Sequence, residues 1–159
     1  NADQDPTVAA EPAQIIHDTL SLCAERFHVS QVELRVRLDT AAPVDCRPAE
    51  IAQVLLNLLS NSYDAVAGKP GAWVEVRAQE RGGRMVFSVM DSGQRIDPKV
   101  AERMMDPFFT TKEVGKGTGL GLSISKGIVE SHGGSLQFDS SAANTTFLVS
   151  LPLHGSAGK

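Results

Sequence analysis

Cysteine is scarce in this sequence. The chain of 159 residues contains two, Cys23 and Cys46, and their separation fits neither the spacing of metal ligands nor a disulfide framework. Cysteines of this kind are packing or surface residues in a reducing compartment. We therefore expect both side chains to be free thiols and the chain to be cytoplasmic.

Long apolar runs are also missing. No stretch of the sequence approaches the roughly 18–20 apolar residues that cross a bilayer as a helix, and no secretory signal is visible at the amino terminus. The first residue is Asn1 and not methionine, so we expect this chain to be a fragment of a longer protein. That parent protein could carry a membrane anchor elsewhere in its sequence.

The sequence has no excess of basic residues. Its 15 lysines and arginines are outnumbered by 19 aspartates and glutamates, which gives a formal net charge of −4 at pH 7. A mildly acidic domain is a poor non-specific binder of nucleic acid, so we expect no nucleic-acid partner. An anionic ligand would have to be held by local groups.

Composition divides the chain into one domain and two short ends. Residues 1–10 are polar or small and show no periodicity, so we expect a flexible tail or linker. Residues 11–153 have the length of a single domain with its own core. We expect residues 154–159 to form a second flexible tail.

Apolar periodicity predicts the order of the elements within the domain. Helices are expected over 11–27, 48–66, 98–105 and 118–131. Strands are expected over 32–38, 73–79, 85–91, 135–138 and 145–152, with a Gly82-Gly83 turn in the first hairpin. This order implies an α+β fold, a two-layer sandwich in which a mixed, mostly antiparallel sheet is covered on one face by helices.

The long helix carries an unusual polar face. Gln53, Asn57, Asn61 and Asp64 follow one another at four- and three-residue spacing, so they share a face that is distinct from the apolar stripe. The face is either solvated or functional. Two asparagines one turn apart can present oxygens to Mg²⁺, which keeps waters and substrate phosphates as its other ligands.

The second strand of the first hairpin ends in Asp91-Ser92-Gly93. An aspartate followed closely by glycine at a strand end often marks a turn. The functional alternative is a carboxylate that accepts a hydrogen bond from the exocyclic amine of a purine. A buried acceptor of that kind rejects a ring without the donor, because the acceptor would be left unpaired.

Four glycines alternate over "GKGTGLG" (115–121), directly before the helical pattern of 118–131. Glycine-rich loops that lead into helix N-termini cradle phosphates with bare backbone amides. The stretch matches neither a Walker loop nor a Rossmann fingerprint, and a plain flexible loop is the alternative. Lys112 and Lys116 are either phosphate contacts or ordinary exposed lysines.

Several motifs in this order resemble a known family. "QVLLNLLSNSYDAV" is similar to its N box, "DSGQRI" to its G1 box, and "DPFFTTKEVGKGTGLGLSI" to its F box joined to its G2 box. "HGGSL" and "TTFLVSLP" match its closing hairpin. Over roughly residues 11–153 the chain thus resembles the catalytic and ATP-binding domain of bacterial sensor histidine kinases, in the GHKL superfamily with its Bergerat fold. Asp64 and "PFFTTK" are most similar to the nitrogen-regulator type.

The resemblance implies a role for each matching position. Asn61 would be the main Mg²⁺ ligand with Asn57 assisting, and these two residues with Lys112 would form the catalytic set. Asp91 would accept a hydrogen bond from the adenine amino group. Gly93 would let the backbone come close to the base.

The resemblance also implies a mobile lid over ATP, residues 106–118, with Phe108 and Phe109 anchoring its base. The glycines of the lid region would serve the triphosphate and the hinge, and Thr146 matches a hydroxyl position near the adenine. The nucleotide-binding residues implied in this way are Asn57, Asn61, Asp64, Asp91, Gly93, Lys112, Lys116, Gly117, Thr118, Gly119, Leu120, Gly121 and Thr146.

One position separates hydrolysis from transfer. ATP-hydrolysing relatives in the superfamily, such as gyrase, carry a glutamate one turn before the Mg²⁺ asparagine, where this chain has Asn57. An amide is no general base at neutral pH. We therefore expect weak hydrolysis and transfer of the γ-phosphate to another acceptor.

Two positions depart from the family pattern. Arg95 stands where the second glycine of the G1 box is usual. It either reshapes the adenine pocket or points outward and adds a cation near the nucleotide. Ser62 replaces the usual alanine after Asn61, which is a mild change.

The phosphoacceptor histidine of such kinases is not recognised in this chain. His17 is followed by Asp18, but it lies in the domain's own first helix without a second helix to complete a hairpin. We expect the acceptor on a separate dimerisation domain of the same protein, with a response regulator downstream. The isolated domain should be a monomer and the parent protein a homodimer.

Two alternatives stay open. A stand-alone serine kinase of the anti-sigma type would act on a partner's serine without any histidine helix. A degenerate module would use the same fold for docking or regulation, and Arg95 is the feature that favours it.

Overall fold

The computed structural model describes residues 6–94, 96–105 and 121–155. Its helices are α1 (Pro12–Leu20), α2 (Ala24–Val29), α3 (Pro48–Val66), α4 (Pro98–Met104) and α5 (Gly121–Ser131). Its strands are β1 (Val8–Ala10), β2 (Glu33–Leu38), β3 (Val44–Cys46), β4 (Trp73–Arg81), β5 (Arg84–Gln94), β6 (Ser135–Phe138) and β7 (Asn144–Pro152).

The main sheet has five strands in the order β2–β4–β5–β7–β6. Strand β2 runs parallel to β4, and the other neighbouring pairs are antiparallel. The β4–β5 hairpin closes on Gly82 and Gly83, whose φ angles of 56° and 76° are the positive values that a two-residue type I′ turn needs. The mixed, mostly antiparallel sheet expected from the sequence is confirmed.

Helices cover one face of this sheet. Along β4 the buried residues Val74, Val76 and Ala78 alternate with half-buried neighbours, as expected of a strand with one face in a core. The core contains the predicted stripe of α3, which is fully buried and consists of Ile51, Val54, Leu55, Leu58 and Leu59. The two-layer α+β sandwich is therefore confirmed.

Local sequence sets the ends of α3. Pro48 occupies its first turn, where a missing N–H costs nothing, and Gly68 follows its end with a φ of 86°. His132 closes the start of the helix from outside, because its Nε2 accepts a hydrogen bond from the backbone N–H of Arg47 at 3.1 Å. The other ring nitrogen, Nδ1, bonds to the Ile128 carbonyl at 2.8 Å, so His132 joins α5 to α3.

The ends of the domain differ from the expectation. Residues 8–10, assigned to a flexible tail from the sequence, form β1 and pair antiparallel with β3. His154, assigned to the second tail, donates its backbone N–H to the Pro43 carbonyl at 2.9 Å. Its Nδ1 lies 2.6 Å from Asp45 Oδ1. Both segments pair with distant parts of the chain, which three-residue patterns do not reveal.

Two predicted elements are modified. The single helix expected over 11–27 is broken between α1 and α2, and Leu22, in the break, is 68% exposed. Strand β2 forms as expected, but Val36 and Leu38 are 42% and 48% exposed. Because β2 is an edge strand, the helical layer covers it incompletely.

Both cysteines are buried, free thiols, as expected. Burial raises the pKa of Cys46 to about 11, with a further contribution from the neighbouring Asp45 carboxylate. Within the described ranges, no helix is both long enough and apolar enough to cross a membrane.

Candidate functional site

An open cleft of about 920 Å³ lies between α2, the second half of α3, the end of β5, α4 and β7. Its described polar lining comprises Arg26, Asn61, Ser62, Asp64, Asp91 and Thr145. Apolar side chains complete the wall, among them Ile96, Val100, Met104 and Phe147.

Asp91 is brought to the cleft by an irregularity in β5. The pairing of β5 with β7 shifts register between Met90 and Gln94, so the backbone after Asp91 leaves the regular ladder, as happens at bulges beside active sites. Ser92 fixes the neighbouring strand, because its Oγ accepts a hydrogen bond from the Trp73 N–H at 3.1 Å. The predicted carboxylate thus faces the cleft.

The carboxylate of Asp91 is almost completely buried, with 1% of the residue exposed. Burial raises its pKa above the usual value, and hydrogen bonds from the Gly93 N–H and the Ser62 side chain oppose that rise, as does the charge of Lys69. The Gly93 N–H donates to Asp91 Oδ1 at 2.8 Å. The remaining acceptor capacity of this carboxylate is what a purine amino group requires.

Glycine is required at position 93 by the close approach of Asp91. A Cβ atom built on Gly93 would lie 2.8 Å from Asp91 Oδ1, which is closer than a methyl group can approach an oxygen. This contact is with the carboxylate, and the approach of Gly93 to a bound base stays a prediction.

The two predicted Mg²⁺ ligands have different surroundings. Asn61 lines the cleft with Asp91. Asn57 is not among the described lining residues, and its amide is held from two sides. Its Oδ1 accepts from Gln53 Nε2 at 3.0 Å, and its Nδ2 donates to the hydroxyl of buried Ser125 in α5 at 3.1 Å.

Asp64, predicted to bind the nucleotide, lines the cleft in an ion pair. Its Oδ1 lies 3.0 Å from Arg26 Nη2, and the Arg26 guanidinium stacks 4.0 Å from the centre of the Tyr63 ring. Sequence analysis did not single out Arg26, because α2 carries no motif that marks it.

The hydroxyl on β7 that lines the cleft belongs to Thr145 and not to the predicted Thr146. Thr145 Oγ1 donates to the Gln94 carbonyl at 2.7 Å, and Thr146 Oγ1 donates to the Asn144 carbonyl at 3.0 Å. Neighbouring residues of a strand face opposite sides, and Phe147 lines the cleft. Because side chains alternate along β7, Thr145 shares a face with Phe147, and this pattern could have selected Thr145 from the sequence.

Several predicted residues lie outside the described ranges. Gly121 is described as the first residue of α5, and among its described neighbours nothing would meet an added Cβ within 4 Å. Arg95 and the anchoring Phe108 and Phe109 are not described. The same holds for the predicted nucleotide-binding residues Lys112, Lys116, Gly117, Thr118, Gly119 and Leu120.

Ser62 is a further residue whose contribution only the structure reveals. The replacement of the usual alanine by Ser62 is more than a mild change, because Ser62 is 4% exposed, lines the cleft and makes a side-chain hydrogen bond to Asp91. One sequence feature could have identified Ser62: it is a polar residue directly after Asn61, on the helix that packs beside the strand carrying Asp91.

The residues of the cleft fit an adenine nucleotide with Mg²⁺. The buried carboxylate of Asp91 can accept from the amino group, and apolar walls suit a flat base. The amide oxygen of Asn61 is a hard ligand of the type that Mg²⁺ takes together with phosphate oxygens.

Comparison with known proteins agrees with this geometry. Residues 46–155 match the family described as histidine kinase-, DNA gyrase B- and HSP90-like ATPase. The two-component sensor PprA of Pseudomonas aeruginosa is 38% identical over 149 residues, which are 90% of this chain and 16% of PprA. Sporulation kinase E of Bacillus subtilis is 32% identical over 91% of this chain and 19% of that kinase. The chain therefore spans less than a fifth of each of these relatives.

Solved structures show the same architecture. The nucleotide-free catalytic domain of the histidine kinase ThkA superposes with a TM-score of 0.82 at 27% identity, over 93% of this chain and 96% of that domain. A complex of ThkA with the response regulator TrrA matches with a TM-score of 0.77 at 24% identity, over 92% of this chain and 41% of the kinase, and shows the fold alone. This chain belongs to the histidine kinase-, gyrase B- and HSP90-like ATPase family, and within it is an ATP-binding catalytic domain of the sensor histidine kinase type.

Proposed function

We propose that this domain holds ATP with Mg²⁺ and presents the γ-phosphate to a histidine on a separate dimerisation domain of the same protein. The observation that carries the proposal is the buried carboxylate of Asp91, which shares one cleft with the amide of Asn61. Asn61 and Asp91 are far apart in sequence, and the packing of β5 against α3 brings them to the same cleft.

Each end of the nucleotide is matched by a group of residues. Asp91, supported by Ser62 and Gly93, would hold the adenine amino group. Asn61 would bind Mg²⁺ at the phosphate end, with Asn57 beside it. Bound Mg²⁺ would neutralise the charge that spreads over the transferring phosphoryl group.

The arrangement favours transfer over hydrolysis. Activation of water needs a positioned base near the phosphates, and the amide of Asn57 occupies the position one turn before Asn61. Of the two carboxylates that line the described cleft, Asp64 is paired with Arg26 and Asp91 is bonded to Gly93 and Ser62. Neither is placed as a general base.

The partners of the parent protein belong to the same proposal. His17 lies on α1, which packs on α3 within the domain, so we assign the accepting histidine to a dimerisation domain outside this chain. A response regulator would receive the phosphoryl group next. The two-component sensor PprA among the relatives and the complex of ThkA with the response regulator TrrA support the second assignment. Free, buried thiols support a cytoplasmic location.

Calorimetric titration with a non-hydrolysable ATP analogue tests the binding step. We expect Asp91→Asn and Gly93→Ala to weaken binding by about ten- to a hundredfold, because each disturbs a hydrogen bond to a buried charge. Gly127→Ala is the matched control, since Gly127 is exposed on α5 and an added Cβ meets nothing within 4 Å. Absence of binding by the unchanged chain would contradict the proposal and favour a docking module.

A transfer assay tests the chemistry. The chain is mixed with the dimerisation domain of its parent protein and γ-labelled ATP, and labelled protein is treated with acid. We expect an acid-labile phosphate on the dimerisation domain and slow release of free phosphate without it. An acid-stable phosphate on a serine of a partner would instead assign the domain to the serine kinases.

A further inference from the structure

We propose that Arg26 is a nucleotide-binding residue that contacts the phosphate chain of the bound nucleotide. The proposal rests on the proposed function of the cleft as an ATP site. It adds a cation from α2, a helix outside the motifs that mark the site in the sequence.

Arg26 is held at the cleft by three contacts with α3. Its guanidinium lies over the Tyr63 ring at 4.0 Å, its Nη2 is 3.0 Å from Asp64 Oδ1, and its Nη1 is 3.4 Å from Ser60 Oγ. Stacking on an aromatic face and a carboxylate partner restrict a long side chain to one direction. The cation is therefore positioned before any ligand arrives.

The ring under Arg26 is itself fixed. Tyr63 packs edge-on against Phe27, with 5.2 Å between the ring centres, and its hydroxyl is hydrogen-bonded to Ser30. Phe27 is 2% exposed and belongs to the core. Because α2 and α3 are joined through these contacts, the guanidinium has a rigid support.

The charges of the cleft favour a cation at the position of Arg26. Among the described residues that line it, Arg26 alone is positively charged, whereas Asp64 and Asp91 are negative. A nucleoside triphosphate brings several more negative charges. A cation from the protein would add to the neutralisation proposed for Mg²⁺, in a chain whose net charge is −4.

The greater solvent exposure of Arg26 indicates that it contacts the phosphates and not the base. Asp91, the proposed acceptor for the base, is 1% exposed, while the Arg26 side chain that lines the same cleft is 49% exposed. Its contacts Tyr63 and Asp64 lie within one helical turn of Asn61 on α3. The end of the cleft that holds Asn61 is the end where phosphates and Mg²⁺ belong.

The Asp64 carboxylate acts through Arg26 in this arrangement. It balances the charge of the cation and holds Nη2, while the Ser60 hydroxyl accepts a hydrogen bond from Nη1. Arginine has five N–H donors in a planar fork, so donors remain for phosphate oxygens while the ion pair is kept.

The test compares Arg26→Met with Arg35→Met in calorimetric titrations of the 159-residue chain. Arg35 is a matched control, because it stacks over Trp73 at 4.5 Å and pairs with Glu33 at 3.1 Å, but it lies on β2, outside the described lining of the cleft. The probes are a non-hydrolysable ATP analogue, ADP and adenosine, each with Mg²⁺. Unfolding curves of both variants report whether the fold is kept.

We expect Arg26→Met to weaken the ATP analogue about tenfold, ADP less, and adenosine less than about twofold, since only phosphates meet the guanidinium. The loss should shrink as salt is raised, because the contact is partly exposed. Arg26→Lys should retain much of the affinity, and Arg35→Met all of it.

Two results would overturn the inference while leaving the proposed function intact. One is an equal loss for adenosine and for the ATP analogue, which would make Arg26 a structural clamp of α2 on α3. The other is unchanged affinity of Arg26→Met for all three ligands. Failure of the unchanged chain to bind any of them would overturn the proposed function itself, and the inference with it.

Discussion

Asp91 is deeply buried, while the role proposed for it is that of a hydrogen-bond acceptor, which the ionised carboxylate fills best. Burial raises the pKa of its carboxyl, and the Gly93 N–H and the Ser62 side chain only partly offset that rise. The folded state without nucleotide thus binds a proton at this group more tightly than the unfolded chain does. A hydrogen-bond donor from a ligand would stabilise the ionised carboxylate further and lower its pKa.

The pH dependence of stability follows from this shift. A raised folded pKa contributes stability below the unfolded value of about 4, and the contribution is lost as pH rises through the folded pKa. We expect the unchanged chain to lose stability relative to Asp91→Asn over that window, as measured by urea unfolding at a series of pH values. Nucleotide affinity should change in the opposite sense and weaken in acid. Parallel pH profiles for the two proteins would contradict the assignment.

At the scale of elements, α3 serves the core and the site at once. Its apolar stripe is fully buried, while its amide face meets α5 through Asn57 and the cleft through Asn61. Because α5 follows the glycine-rich segment, the hydrogen bond between Asn57 and Ser125 joins the two helices that frame the predicted phosphate end.

Removal of the Ser125 hydroxyl tests this link. Ser125→Ala should lower the free energy of unfolding by about 0.5–1.5 kcal/mol, because the Asn57 amide loses a buried partner. It should also weaken the Mg²⁺-dependent part of nucleotide affinity, measured by titration with and without Mg²⁺. Ser21→Ala is the control, since that hydroxyl is exposed at the end of α1 and donates to the nearby Asp18 carbonyl at 2.8 Å. Equal behaviour of the two variants would show that Asn57 does not depend on Ser125.

At the scale of the whole molecule, the buried thiols report on global opening. Cys46, in β3 opposite Val8 of β1, is fully buried, and its pKa is raised to about 11. A thiol reacts as the thiolate and only when a reagent can reach it. Its modification therefore requires the β1–β3 pair or the core to open.

Thiol labelling at pH 8 gives the corresponding prediction. In a Cys23→Ser background, Cys46 should react far more slowly in the folded chain than in urea. An ATP analogue at saturating concentration should slow the reaction further, because a ligand that binds only the folded state lowers the population of open states. Fast labelling at a rate that the ATP analogue does not change would mean that β1 opens locally.

Sequence patterns determined much of this protein, because the physics behind them is local. Pro48, the apolar repeat and Gly68 define α3, and the glycine pair defines the β4–β5 turn. Asp91 and Asn61 were selected because their chemistry and their motifs coincide. The sequence predicted Thr146 at the cleft, but the neighbouring Thr145 lines it. Which side chains of a strand face a site depends on what packs against each side of the sheet.

The tertiary structure alone decided what depends on distant contacts. Arg26 reaches the cleft because α2 packs on Tyr63, and Ser62 acts because the strand carrying Asp91 lies beside α3. β1 exists because residues 44–46 pair with it. Local periodicity encodes helices, turns and core faces, whereas the meeting of side chains far apart in sequence is set by the free energy of packing the whole chain.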